Sequence, residues 1–260
     1  MTGFIGGGNM AEALIKGLIA KGFNDILVSE PAQKRCDYLR AHYQVRAHYD
    51  NMAVISDSDI VVVAVKPQNM PELREQLKGA DFTGKTIVSI VAGVKIANLR
   101  SVFPSAWIVR VMPNTAALVL EAMSALSVDD SVPLQIRDRA EEIFSSIGQV
   151  VFLPEEMMDA VTAVSGSGPA FFALFADSVT EAGMALGLSR EISLKLAVQT
   201  MSGTAKMLSS GRLPEELITM VASPGGTTEA GLKVFEQRGF INIVSEALTA
   251  ASRRSAELGK

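Results

Sequence analysis

An α/β chain is expected, with a doubly wound parallel sheet followed by an all-helical domain. Three observations predict it. Over about the first 110 residues, short β-branched runs alternate with helical patterns. One of those runs, residues 60–65, reads Ile-Val-Val-Val-Ala-Val and is apolar on both faces, which suits a central strand covered by helices on either side. Beyond Leu153 the strand signals stop and helical periodicity takes over.

The first strand is read at residues 4–5. It leads straight into Gly6-Gly7-Gly8-Asn9-Met10-Ala11, which opens a helix running to about Lys21. Strand, glycine turn and helix in that order match the G-x-G-x-x-G/A fingerprint of dinucleotide binding, so the sheet is expected to be of the Rossmann type. A diphosphate approaches such a turn only where Cβ atoms are missing, and the helix behind it offers unpaired N–H groups and the positive end of its dipole. Gly6 and Gly8 meet that need, and Ile5, Gly7, Asn9 and Met10 flank them as candidate cofactor contacts. The short lead-in before Gly6 predicts a weakened edge for this strand.

The second strand, 25–29, ends at Ser29-Glu30, about 20 residues past the fingerprint, where an acidic side chain accepts hydrogen bonds from the adenosine ribose. Taken alone, that position favours NADH. Ser29, Lys34 and Arg35 are nevertheless close enough in sequence to bind the extra phosphate of NADPH, and Glu30 can equally point into solvent. The expected cofactor is therefore NADPH or NADH. Strands 60–65 and 86–90 run into Ala64-Val65-Lys66-Pro67-Gln68 and Ser89-Ile90-Val91-Ala92-Gly93. Ligands of open α/β sheets bind at the carboxyl ends of strands, so Ala64, Val65, Lys66, Pro67, Ile90, Val91 and Ala92 are candidates to line the nicotinamide half. The alternative is that Pro67 and Gly93 only turn the chain. Strand 107–111 ends in Arg110-Val111-Met112-Pro113-Asn114-Thr115, with Arg110 read as pairing with a carboxylate. Strands at 123–127 and 149–152, separated by a helix over 133–146, extend the sheet at one edge and complete a dinucleotide-binding domain over residues 1–153.

Residues 154–260 are assigned to an all-helical domain for substrate binding and dimerisation. Between Pro169 and Leu186, the residues Phe171, Phe172, Leu174, Phe175, Val179, Ala182 and Leu186 cover more than one helix face. Such a helix either lies in a subunit interface or forms the central core of one subunit, and the interface is the preferred reading. Two small, polar segments stand at helix starts: residues 163–170, Ala-Val-Ser-Gly-Ser-Gly-Pro-Ala, and residues 223–228, Ser-Pro-Gly-Gly-Thr-Thr. In the second, Pro224 stops one helix, the glycines permit a tight turn, and the free N–H groups of the next helix suit a carboxylate. A threonine there can also serve as a purely structural cap.

Bulk properties narrow the function. A net charge of −4, with 20% charged residues and 48% hydrophobic ones, offers no footprint for gripping a nucleic-acid backbone. Cys36 is the single cysteine, an inert helix residue on this reading, and its solitude points to the cytoplasm. The apolar runs fall far short of the roughly 18 residues that span a bilayer, and the N-terminus lacks an export signal.

Taken in order, Gly-Phe-Ile-Gly-Gly-Gly-Asn-Met-Ala, Ala-Val-Lys-Pro-Gln, Arg-Val-Met-Pro-Asn-Thr, Ser-Gly-Ser-Gly-Pro-Ala and Ser-Pro-Gly-Gly-Thr-Thr closely resemble pyrroline-5-carboxylate reductase, from about Gly3 to Arg254. The resemblance implies reduction of Δ1-pyrroline-5-carboxylate by NADPH or NADH to L-proline, the last step of proline biosynthesis. It also implies a helical domain that dimerises, with five dimers often building a decamer. By resemblance, the Ser223 turn presents the N–H groups of Gly226, Thr227 and Thr228 to the substrate carboxylate, and the Thr228 hydroxyl contacts the ring nitrogen as the catalytic group. Asn51 falls where the family has a cofactor-contacting asparagine, and Glu155 where a carboxylate lies near the substrate. Met220 departs from a position that is often polar in relatives. No metal is required, and the only histidines, His42 and His48, lie on the adenosine side of this reading. Reductases of other small imines or keto acids would want a lysine or aspartate where Ser165 to Pro169 stand, and a sensor that holds NAD(P)H without turnover would not need the carboxylate-binding turn.

Overall fold

The structure is a computed structural model that describes residues 1–259. By contacts the chain divides into two compact units, Met1–Ser167 together with the stretch from Ala251, and Gly168–Ala250. In the first unit the elements follow as β1 (Thr2–Ile5), α1 (Asn9–Ala20), β2 (Ile26–Ser29), α2 (Gln33–Tyr43), β3 (Arg46–His48), α3 (Asn51–Asp57) and β4 (Ile60–Val63). They continue as α4 (Met70–Gln76), β5 (Thr86–Ser89), α5 (Ile96–Val102), β6 (Trp107–Met112), β7 (Ala122–Ser127), α6 (Leu134–Phe144), β8 (Gly148–Phe152) and α7 (Met158–Val161).

The eight strands form one sheet in the order β3-β2-β1-β4-β5-β6-β7-β8. All pairs are parallel except β6 with β7. Strand order reverses at β1, which pairs with β2 on one side and β4 on the other, so a crevice opens above the carboxyl ends of these three strands. Their last residues are level: Ile5 stands opposite Ser29 and Val63.

The expected two-faced burial is present. Ile60 and Val62 face a core with Leu14, Ile15 and Leu18 of α1 and Phe144 of α6, while Val61 and Val63 face a second core with Leu73, Leu99 and Phe103. The first strand differs from expectation. It begins at Thr2, is buried along its whole length and lies in the centre of the sheet, where two neighbours compensate its short lead-in. β4 stops at Val63 and β5 at Ser89, so Ala64, Val65 and Ile90 begin the loops beyond them. β3, an edge strand of Arg46-Ala47-His48, carries no β-branched run and was not expected. β7 and β8 extend the sheet at its far edge, as expected.

The sequence pattern changes at residue 153, whereas compactness divides the chain after Ser167. Residues 154–166 remain tied to the sheet: Glu155 Oε1 accepts from the Ile96 N–H at 2.7 Å, and Asn114 Nδ2 donates to Ser165 Oγ at 3.2 Å.

The second unit is helical, with α8 (Gly168–Ala185), α9 (Arg190–Ser209), α10 (Pro214–Val221), α11 (Thr227–Gln237) and α12 (Phe240–Leu258), whose last turns belong to the first unit. It has almost no core of its own, its only buried hydrophobics being Ala176 and Ala197. Phe172 and Leu174 of α8 are 65% and 66% exposed, and Phe171, Phe175 and Val179 are exposed too. α8 is therefore not a core helix buried within one subunit.

Candidate functional site

The glycine turn is built by exclusion. Gly6 has a φ of +99°, and a Cβ there would stand 2.7 Å from the Ala64 carbonyl oxygen, so only glycine lets β1 turn against the start of the loop after β4. Gly8, at the N-cap of α1, has an ordinary φ of −68° and nothing within 4 Å of where a Cβ would point. The protein therefore leaves open space in front of the first turn of α1, and no side chain caps that helix. Its leading N–H groups and dipole are free to meet an anion there.

Gly7, between them, is held from both sides. Its N–H donates to Glu30 Oε2 at 2.9 Å, and its carbonyl accepts from Arg35 Nε at 2.6 Å. The other Glu30 oxygen accepts from the Ala32 N–H at 3.0 Å. Arg35 is anchored in turn by an ion pair with Glu12 of α1, and Glu12 also accepts from the Tyr38 and Tyr43 hydroxyls at 3.0 and 2.7 Å. Burial pushes the Glu12 carboxyl up, but the hydrogen bonds from Tyr43, Arg35 and Tyr38 outweigh it and hold the group below the usual glutamate range. Burial, and then Glu12 itself, push the Tyr43 hydroxyl upward.

A cleft of about 460 Å³ runs over the ends of β1, β2 and β4. It brings together the expected residues Ile5, Gly6, Gly8, Ser29, Glu30, Asn51, Ala64, Val65 and Lys66. Asn51 is fixed there by accepting from Ser29 Oγ at 2.5 Å and donating to Gln76 Oε1 at 2.6 Å. Tyr49, Asn69, Glu72 and Gln76 also line the cleft and were not anticipated. Tyr49 is 81% exposed, and its place just beyond β3, itself unrecognised, hid it.

Other expected contacts stand outside this lining. Gly7 is buried behind the turn, Asn9 is exposed on α1, and Pro67 opens a short 3-10 turn. Met10 and Ile90 pack against the core of the α1 side, Val91 lies in the core of the opposite face, and Ala92 is exposed. Glu155 is committed to the fold: besides the Ile96 N–H, it pairs with Arg110 Nη1 at 3.0 Å. Arg110 pairs with a carboxylate as expected, but it is buried at 6% exposure.

The second turn belongs to the helical unit. Gly225 takes a φ of +70°, and the Gly226 N–H donates to the Ser223 carbonyl at 3.0 Å, closing the turn that starts α11. That N–H is spent inside the turn, which leaves those of Thr227 and Thr228 to face a ligand, with no side chain capping the helix. Glu229 Oε2 accepts from the Gly225 N–H at 2.6 Å and Oε1 pairs with Lys233 at 3.1 Å, and these contacts hold its carboxyl below the usual range. Thr228 is half-buried.

His42 and His48 lie at the α2 and β3 side of the sheet. Cys36 is buried, and burial pushes its thiol upward. Among the described residues, no cluster of His, Cys, Asp or Glu can hold a metal ion, and no helix is long and apolar enough to cross a membrane.

Comparison with known proteins gives two family matches. Residues 155–258 match pyrroline-5-carboxylate reductase dimerisation, and residues 1–93 match NADP oxidoreductase, coenzyme F420-dependent. A pyrroline-5-carboxylate reductase from Synechocystis is 43% identical over 99% of this chain and 98% of its own length. Among solved structures, a pyrroline-5-carboxylate reductase from Coxiella burnetii superimposes with a TM-score of 0.92 at 34% identity, covering 100% of this chain and 98% of that one. A Plasmodium falciparum pyrroline carboxylate reductase with NADP bound gives 0.87 at 32% identity, with the same coverage.

Proposed function

The chain belongs to the pyrroline-5-carboxylate reductase family, and from that premise we infer that it reduces Δ1-pyrroline-5-carboxylate to L-proline with NAD(P)H. The observation that carries this reading is the pair of helix starts with vacant N–H groups, one behind the Gly6–Gly8 turn and one behind Ser223–Gly226.

The cleft fits a dinucleotide on its own geometry. A Cβ at Gly8 would fill the space that a diphosphate needs, and glycine leaves it open. Gly6, Gly8 and the N–H groups of the first turn of α1, from Asn9 on, would hold the diphosphate, Ser29, Glu30 and Asn51 the adenosine ribose, and Ala64 to Lys66 the far half. When bound, NAD(P)H supplies the hydride that reduces the imine carbon.

Thr227 and Thr228 N–H groups, with the dipole of α11 behind them, bind the substrate carboxylate and fix the ring. A cyclic imine accepts hydride best when its nitrogen is protonated. The Thr228 hydroxyl, too weak an acid to protonate the ring unaided, orients the N–H or relays a proton to it, so that the C=N bond becomes CH–NH with one hydride on carbon and one proton on nitrogen. Positioning carries most of the rate. Glu155, tied to Arg110 and Ile96, supports the loop after β5 and acts on substrate at most through that loop.

A second copy of the chain covers the exposed apolar residues of α8 and α9. Five such dimers in a decamer and a cytoplasmic location complete the proposal, the latter supported by the single cysteine. Kinetics of Thr228→Ala test the assignment: kcat/KM for pyrroline-5-carboxylate should fall about 10²-fold with coenzyme binding intact. Full retention would remove Thr228 from the chemistry. Coenzyme binding by the unaltered protein without oxidation, with either this substrate or its six-membered analogue, would instead favour a sensor.

A further inference from the structure

Resting on the reading of the cleft as an NAD(P)H site, we propose that this chain selects NADH over NADPH, with Glu30 as the specificity-determining residue and Glu12 as a positioning residue that withholds Arg35. The two coenzymes differ only in a phosphate on the adenosine ribose, a group of about two negative charges that falls at the end of the second strand of this fold. Whether that charge is tolerated depends on what stands there and on whether it can move.

Glu30 cannot swing aside without loss. One carboxylate oxygen holds the Gly7 N–H and the other the Ala32 N–H, so rotating the side chain away would strip two backbone donors of their acceptor and loosen the glycine turn itself. A fixed negative charge therefore faces the ribose. It suits two ribose hydroxyls and repels a phosphate.

The cation best placed in sequence to compensate is withheld. Arg35 spends Nε on the Gly7 carbonyl and a terminal nitrogen on Glu12, and its guanidinium lies over the Tyr38 ring at 5.0 Å. Glu12 is itself held by two tyrosine hydroxyls, so the pair cannot shift cheaply. Two neutral side chains beside Glu30 are engaged as well: the Ser29 hydroxyl donates to Asn51, and the Asn51 amide donates to Gln76. Glu72, which lines the same cleft, adds negative charge. Lys66 is the one cation in the lining, and it follows β4, which β1 separates from β2. Lys34 is exposed and outside the lining.

Direct binding decides the matter without turnover. Titration of NADH and NADPH into the full-length protein, followed by coenzyme fluorescence or calorimetry, should give a Kd for NADPH at least about tenfold weaker. In Glu30→Gln, whose amide oxygen can still accept the Gly7 N–H, the two values should converge to within about threefold, mainly through tighter NADPH. Glu12→Gln, which loosens Arg35, should narrow the gap in the same direction, and an unchanged ratio there would contradict the role given to Glu12. Equal or tighter binding of NADPH by the unaltered protein would overturn the proposal. Failure of both coenzymes to bind would overturn the reading of the cleft instead.

Discussion

Gly6 and Gly8 look alike in the fingerprint but are glycine for different physical reasons. Gly6 is required by the fold, since a side chain would be strained at its φ of +99° and would strike the Ala64 carbonyl. Nothing in the fold demands glycine at Gly8, whose backbone suits any residue and whose surroundings are empty, and the proposed coenzyme site is what accounts for it. Gly6→Ala should therefore lower stability by about 1–3 kcal/mol, whereas Gly8→Ala should melt like the parent yet bind coenzyme about 10–100-fold more weakly. Thermal melts combined with coenzyme titration separate the two. The motif showed that glycines were needed at both places. It did not show that Glu30 and Arg35 would close on Gly7, because that clamp joins the loops after β1 and β2 to α1 and α2, which only packing brings together. Glu12 at its centre titrates below the ordinary glutamate range in the folded chain, so its contribution is present above the unfolded value of 4.5 and is lost as pH falls through the lower folded value. Melting temperature should consequently drop more steeply on acidification in the parent than in Glu12→Gln.

At the level of elements, legibility followed hydrophobic periodicity. β4 was plain because it is apolar on both faces, and β1 was found although its length was understated. β3 was missed because three residues at a sheet edge, Arg46-Ala47-His48, carry no periodic signal and are specified by their partner β2. The antiparallel turn into β7 was equally silent, since the strand signal is the same for either direction of pairing. Glu155 shows how an element's needs can resemble a site's. Its carboxylate supplies an acceptor for the first N–H of α5 and neutralises Arg110, which is buried in β6. Glu155→Ala should leave that arginine uncompensated and cost about 3 kcal/mol in urea denaturation, with less effect on the KM for substrate than on stability. A large rise in KM at unchanged stability would restore Glu155 to the substrate site.

For the molecule as a whole, the first unit carries the buried core and the second carries the exposed apolar surface. That asymmetry was already visible in the all-round apolar pattern of α8, and it is what an association surface on the second unit requires. Phe172→Asp combined with Leu174→Asp places charge on two exposed sides of α8, and should shift the protein toward the monomer in sedimentation velocity by several kcal/mol of lost association energy. The reaction inferred for this chain is hydride transfer from NAD(P)H to the imine carbon, and isotope labelling follows that transfer itself. The protein is incubated with Δ1-pyrroline-5-carboxylate and reduced coenzyme deuterated at the transferable C4 position, and the proline formed is analysed by mass spectrometry. Deuterium should appear in proline at the former imine carbon, mole for mole with coenzyme oxidised. Coenzyme that stays reduced, or proline that carries no label from the transferred position, would contradict the account.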